Sequence, residues 1–432
     1  MLNKDNQREL AYVVVIDKIT PIEGADRVAL AHVGGWTVMV GKDEFEAGDP
    51  AVYFEIDSKV PETERFKFLE KKHYKIKTQK YFKGTVISQG LLMPAAAFNW
   101  KIESAQFAGG FSYLVDEDGN HHIPEDKDTM FLTKQLGVTY AVDDDNKRKG
   151  ASVDKYKKMA ARHPKLFQSP IIKKIYKTDL GKKILFVFFG KKRDSKSTFP
   201  TWVKKTDEER CQNMPYLFTD EDYQKKRWIA TEKLDGTSTT FTLKRDEGWF
   251  KPKFDFRVCS RNVCFSKDEK KPCFYDTNVY TAMAEKYEAE EKLHILMDIF
   301  DEKFKEDDKR TVSFVTIQGE TYGGSIQRRE YSMDYNDFAA FNLIVGFTDG
   351  TTKRFNPIEM KDILSYKPID IPCVPIVDMY FFLPKTCEEL LKIAEGESRI
   401  DGGMREGLVF RDENGEMSFK AVSNPFLLRY HQ

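Results

Sequence analysis

The chain has 432 residues, 41% of them hydrophobic and 32% charged, and a formal net charge of zero. That length allows two or three domains with sizeable cores, and the composition excludes a disordered or fibrous protein. The longest apolar run beside a basic stretch, Ile184 to Phe189, is far too short to cross a bilayer. The first residues are polar and mixed in charge, so an intracellular protein without a membrane anchor is expected.

Residues 11 to 95 read as five short strands, Ala11 to Lys18, Val28 to Val33, Thr37 to Val40, Ala51 to Ile56 and Thr85 to Met93. Turn residues separate them at Pro21, Gly24, Gly34-Gly35 and Gly48-Asp49-Pro50. Short strands so punctuated predict a small closed barrel, with the OB type as the natural choice. The pattern then weakens, leaving one helical turn around Met130 to Leu136. The run Asp143-Asp144-Asp145 followed by Lys147-Arg148-Lys149 marks an exposed boundary.

Zero net charge conceals a strong separation. Residues 147 to 205 hold 19 Lys or Arg against three acids, a net of +16, so the remainder carries −16. Tyr156, Phe167, Tyr176, Phe186 and Trp202 interleave with those cations. Such a segment suits a polyanion, because phosphate contacts and counterion release supply most nucleic-acid affinity; a solvated linker is the alternative.

A second domain begins near Thr198. Within it, Val279 to Phe304 carries Val279, Met283, Tyr287, Leu293, Leu296, Phe300 and Phe304 at helical spacing, which predicts one amphipathic surface helix. Strands are expected at Val312 to Gln318, Phe338 to Val345, Gly407 to Phe410 and Met417 to Val422. The six cysteines form no CxxC pair and fit free thiols. Cys259, Cys264 and Cys273 lack a suitably spaced histidine or fourth cysteine for zinc.

The sharpest local feature is Thr231-Glu232-Lys233-Leu234-Asp235-Gly236. Alone, a KxDG tetrapeptide is a weak signal, but four elements follow in order: Ser260-Arg261-Asn262, Gln318-Gly319-Glu320-Thr321-Tyr322-Gly323, Glu406-Gly407-Leu408-Val409 and Ser418-Phe419-Lys420. This series resembles the covalent nucleotidyltransferases, the superfamily of polynucleotide ligases and capping enzymes, with Phe341-Asn342 in the place of its aromatic motif. Ile19 to Arg27, Gly35-Trp36, Ser88 to Leu91 and Lys205 to Asn213 are further similar to the ATP-dependent RNA ligases with an N-terminal OB domain, of the Naegleria and Deinococcus type.

The resemblance implies an α+β chain. An OB-type β-barrel would span residues 1–100 and a connecting region with the basic insertion 101–197. An adenylyltransferase domain of ATP-grasp-like ligase type, with antiparallel sheets and flanking helices, would span 198–432. It also implies ATP and Mg²⁺ or Mn²⁺, and a monomer acting on RNA with 3′-OH and 5′-phosphate ends in a nicked duplex. By the same carry-over Lys233 is the nucleophile that takes AMP, Glu232 accepts from the adenine amino group and Phe341 stacks on the purine. Arg261 holds ribose or nick, Lys420 contacts the α-phosphate, Arg210 reaches the terminal phosphates, and Asp235, Glu320 and Glu406 hold the metal or its waters, with Gly236 in the turn. Glu320, Glu406 and Lys420 act with Lys233 in catalysis.

The chemistry accounts for these residue types. An amine must be unprotonated to attack phosphorus, whereas Glu232 and Asp235 beside Lys233 favour the ammonium, so a divalent cation has to enter. One departure is Ser418, where many such ligases carry a first lysine of a pair; it leaves open which cation neutralises the pyrophosphate. A capping guanylyltransferase and a DNA ligase share the KxDG logic, but the barrel placed first and only four residues after Leu428 point away from both. An RNA-binding adaptor with a decayed ligase domain is opposed by the intact Lys233, Glu320, Glu406 and Lys420. Because every nucleotide motif lies after residue 200, AMP capture is expected to be independent of the barrel.

Overall fold

The computed structural model describes residues 1–3, 7–98, 101–103, 113–115, 121–122, 131–141, 172, 178, 199–205, 207–246, 252–265, 278–307, 310–324, 326–327 and 331–430. The connecting region and the basic insertion fall almost wholly outside the described residues.

The N-terminal part has two three-stranded antiparallel sheets. One orders β1 (Ala11–Val15), β5 (Pro50–Phe54) and β6 (Leu91–Pro94) around β5 as the centre, and the other runs β2 (Lys18–Pro21), β3 (Val28–Val33), β4 (Trp36–Gly41). Alternation in β3 and β4 turns Ala31, Val33, Trp36, Val38 and Val40 into a core shared with Tyr12, Ala51 and Tyr53 of the first sheet, as an OB-type interior requires. Two expected strands are divided. Ala11 to Lys18 breaks before β2, and Thr85 to Met93 breaks at Gly90, whose φ of 115° only glycine adopts easily.

The C-terminal part places two antiparallel-rich sheets around a cleft. The five-stranded sheet orders β7 (Glu209–Arg210), β17 (Ser418–Val422), β16 (Gly407–Asp412), β8 (Trp228–Lys233) and β15 (Ile376–Phe381). The six-stranded sheet orders β11 (Cys264–Phe265), β10 (Lys253–Ser260), β9 (Thr237–Asp246), β12 (Val312–Gly323), β13 (Asn336–Phe347) and β14 (Thr352–Arg354). Helices α1 (Val279–Lys286) and α2 (Ala289–Asp307) cover the second sheet and bury Val279, Met283, Leu293, Leu296, Phe300 and Phe304 against it. The single helix expected there is interrupted: Glu288 takes a left-handed φ of 49°, and the Tyr287 hydroxyl is held by Asp337 at the start of β13. The spacing of the buried residues survives the break, which is why the sequence conceals it. Helix α3 (Cys387–Ala394) starts in a capping box formed by Thr386 and Glu389 and packs Leu390, Leu391 and Ala394 under the five-stranded sheet.

The two parts touch along one seam. Leu2 N–H donates to the Asn213 carbonyl at 2.9 Å, Lys18 pairs with Glu388 of α3 at 2.8 Å, and Lys80 donates to the Leu428 carbonyl at 2.7 Å. Among the described residues no helix is long and apolar enough to cross a membrane.

Candidate active site

Lys233 is the last residue of β8 and lies opposite Gly407 of β16, so the chain places Glu406 directly beside it although 173 residues separate the two. The Lys233 ammonium donates to Glu406 Oε2 at 2.7 Å, and Glu406 is 7% exposed. Glycine is needed at 236, where a Cβ would collide with the Thr321 carbonyl oxygen and lie 2.9 Å from Glu320 Cγ. That close approach brings the turn after Lys233 against the strand carrying Glu320, whose backbone pairs with Ser238. Asp235 is buried, and its N–H donates to the Tyr331 hydroxyl at 2.9 Å.

The charges are strongly coupled. Burial alone would lower the Lys233 ammonium, but Glu406, Glu320 and Asp235 outweigh it and hold the amine above its ordinary range. Burial, reinforced by Glu406 and Asp235, pushes Glu320 up to about 8 against the pull of Lys233 and Arg261. The carboxylates thus stand in excess of the cations available to them. Among the described residues no three His, Cys, Asp or Glu side chains converge on one ion position. Asp235, Glu320 and Glu406 therefore do not form a closed cage; as hard oxygen donors around Lys233, they fit a hydrated Mg²⁺ or Mn²⁺ completed by waters and phosphates.

Strand β17 presents Ser418 and Lys420 on one face and buries Phe419 and Ala421 on the other. Arg210 lies level with Lys420 on the parallel neighbour β7. Burial lowers Lys420, and nearby Lys233 and Arg210 lower it further while Asp207 opposes them. Lys233, Lys420 and Arg210 accordingly form a cationic wall. Arg261, in the turn after β10, is exposed and binds Asp207 at 2.6 Å; Asp207 also lies 3.5 Å from Lys420. Arg261 is thereby linked to the Lys420 side of the cleft through Asp207, an acid to which the motifs assign no role.

At the other end, Glu232 is 1% exposed and its Oε2 accepts from the Arg399 N–H at 2.7 Å. Its Oε1 is enclosed with no hydrogen-bond partner among the described residues. A buried carboxylate oxygen left in that state is costly unless a donor arrives with a ligand. Phe341 sits in a bulge of β13, since Gln318 pairs with Asn342 and Gly319 with Ala340, leaving 341 as the extra residue. Such an insertion re-aims a side chain, and Phe341 is only partly buried, against Leu234, Tyr322, Tyr331 and Val374.

Ser418 has its own neighbourhood. Its hydroxyl donates to Glu208, which takes Arg411 Nη2 at 3.0 Å and lies 3.8 Å from Arg354. Arg354 also donates to the Glu416 carbonyl at 2.8 Å and Arg411 to that of Phe341 at 2.7 Å. Arg354 and the terminal nitrogens of Arg411 are thus committed to the protein itself, while Arg411 Nε is enclosed with no partner among the described residues. Arg354, Arg411 and Arg399 carried no motif signal, although Asp207 and Glu208 belong to the run quoted before the KxDG turn.

An OB-fold domain family matches residues 10–95, and the RNA ligase family matches residues 226–422. The chain belongs to the RNA ligases that carry an N-terminal OB domain. Among solved structures, a Naegleria gruberi RNA ligase mutant with ATP and Mn is 26% identical with a TM-score of 0.59, covering 98% of this chain and 100% of that one. A second mutant of that enzyme, with AMP and Mn, is 26% identical with a TM-score of 0.59 and covers 98% and 99%. The same enzyme with PPi gives 25% and 0.56, covering 98% of each chain. No curated protein sequence gives a match. The fold of the ligase is α+β, as the resemblance implies.

Proposed function

We propose that this RNA ligase uses ATP to join a 3′-OH to a 5′-phosphate through a Lys233–AMP intermediate and an adenylylated RNA end. The observation that carries the reading is the placement of Lys233 against Glu406 at 2.7 Å, with the cations Lys420 and Arg210 nearby and the unpartnered carboxylate oxygen of Glu232 on the preceding residue. Glu232 and Phe341 hold the adenine by hydrogen bond and stacking. Lys420 and Arg210 face the phosphates, while Asp235, Glu320 and Glu406 hold Mg²⁺ or Mn²⁺ and its waters.

Lys233 Nζ attacks the α-phosphorus, the N–P bond forms as the bond to the pyrophosphate oxygen breaks, and the amine proton leaves to solvent or a carboxylate. The RNA 5′-phosphate oxygen then attacks the same phosphorus and releases the lysine. The 3′-OH finally attacks the 5′-phosphate and expels AMP. A bound divalent cation supplies positive potential that disfavours the ammonium and offsets phosphate charge. Ends held in line account for most of the remaining catalysis. Residues 1–100 and the basic insertion are the proposed clamp on a nicked duplex, with residues 198–432 as the catalytic domain of a monomer.

A nicked duplex with 3′-OH and 5′-phosphate RNA ends, incubated with ATP and Mn²⁺, should give sealed product and a transient AMP-capped strand. Sealing of the equivalent all-DNA nick with equal efficiency, or no capped strand under any condition, would overturn this reading.

A further inference from the structure

Arg210 belongs to the catalytic sheet, yet its guanidinium is held by the other domain. Its Cζ lies 5.7 Å from the centroid of the Trp36 ring, and Trp36 is 2% exposed and stacked on Tyr53 at 6.4 Å. Arg210 Nη1 is enclosed and has no hydrogen-bond partner among the described residues. The loop bearing Trp36 is pressed onto the catalytic domain through Gly35, with a φ of 84°. A Cβ at 35 would lie 2.6 Å from Cys387 Sγ and 3.2 Å from Gln212 Cγ, two residues beyond Arg210.

We propose that Trp36 is a positioning residue for AMP capture: the OB domain holds Arg210 against the cationic wall, where its free N–H meets the terminal phosphates of ATP. The inference rests on the adenylylation reading and deepens it. An indole face attracts a guanidinium and restricts it without using its donors, so the N–H groups stay available. An enclosed donor without a protein partner is costly, and a phosphate oxygen that accepts from it removes that cost. The arrangement also bears on Ser418. Arg354 and the two terminal nitrogens of Arg411 are occupied by Glu208 and by carbonyls, whereas Arg210, level with Lys420 on the neighbouring strand, keeps an unpartnered Nη1.

The test is single-turnover formation of covalent AMP against ATP concentration for Trp36→Leu, Trp36→Phe, Arg210→Ala and the double variant Trp36→Leu/Arg210→Ala. Misplacing a group that orients a reacting phosphate costs roughly tenfold to hundredfold in rate. Trp36→Leu should lose that factor in the limiting rate, Trp36→Phe should recover most of it, and the double variant should be no slower than Arg210→Ala. Joining of an end adenylylated beforehand, which involves no terminal phosphates of ATP, should fall less than AMP capture. If Trp36→Leu does not fold, Gly35→Ala makes the same comparison, since it keeps the indole and displaces the loop. Wild-type rates in the folded variants, or equal losses added on top of Arg210→Ala, would overturn the proposal. Absence of AMP on the wild-type protein would instead sink the adenylylation reading.

Discussion

Replacing Glu320 by Gln should stabilise the metal-free protein while destroying its activity. In the folded chain burial, Glu406 and Asp235 push this carboxyl from its ordinary 4.5 up to about 8. Because the folded form prefers the protonated acid, its stabilising contribution is complete below pH 4.5 and is lost as pH rises towards 8. At about 1.4 kcal/mol per pH unit the full penalty approaches about 5 kcal/mol. Glu320 is partly open to the cleft, so solvent screening reduces the expected gain to roughly 2–3 kcal/mol. A gain of that size in a domain of this length raises Tm by about 5–10 °C. Thermal melts of wild type and Glu320→Gln in chelator should nearly coincide near pH 4.5 and separate progressively up to pH 8. Added Mn²⁺ should narrow the gap by stabilising only the wild type, and the variant should form no covalent AMP. A pH-independent difference, or a destabilised variant at pH 8, would refute the electrostatic account of the site.

Other outcomes follow from the same geometry. Lys233→Ala should abolish AMP capture yet still join a nick whose 5′ end carries AMP, whereas Lys420→Ala should slow both reactions, as measured on the two substrates side by side. Gly236→Ala drives a methyl group into the Thr321 carbonyl and Glu320; overpacking of that kind costs about 1–3 kcal/mol and should cut AMP capture much more than it lowers Tm. Neutralising several of Lys173, Lys174, Lys182, Lys183, Lys191, Lys192 and Arg193 should reduce RNA affinity and flatten its salt dependence, leaving AMP capture nearly intact in filter-binding and labelling assays.

The chemistry of the cleft was legible because its residue types are dictated by phosphoryl transfer and recur at motif spacing, from Lys233 through Glu320 and Glu406 to Lys420. Their mutual geometry was not. The Lys233–Glu406 pair depends on the register of β8 against β16, and the aim of Phe341 depends on a one-residue bulge, neither of which a linear pattern encodes. The barrel strands were readable from alternation and turn residues, whereas the break at Glu288 was hidden because helical spacing of buried residues continues across it. The Trp36–Arg210 contact joins positions 174 residues apart in different domains, so only the folded seam reveals it.

The most direct test of the account is incubation with ATP labelled at the α-phosphate and Mn²⁺, followed by denaturing separation and peptide mapping. The account predicts acid-labile AMP on the peptide containing Lys233, released by pyrophosphate or by RNA with a 5′-phosphate, and none from GTP. Label on another residue, or undiminished label on Lys233→Ala, would contradict it.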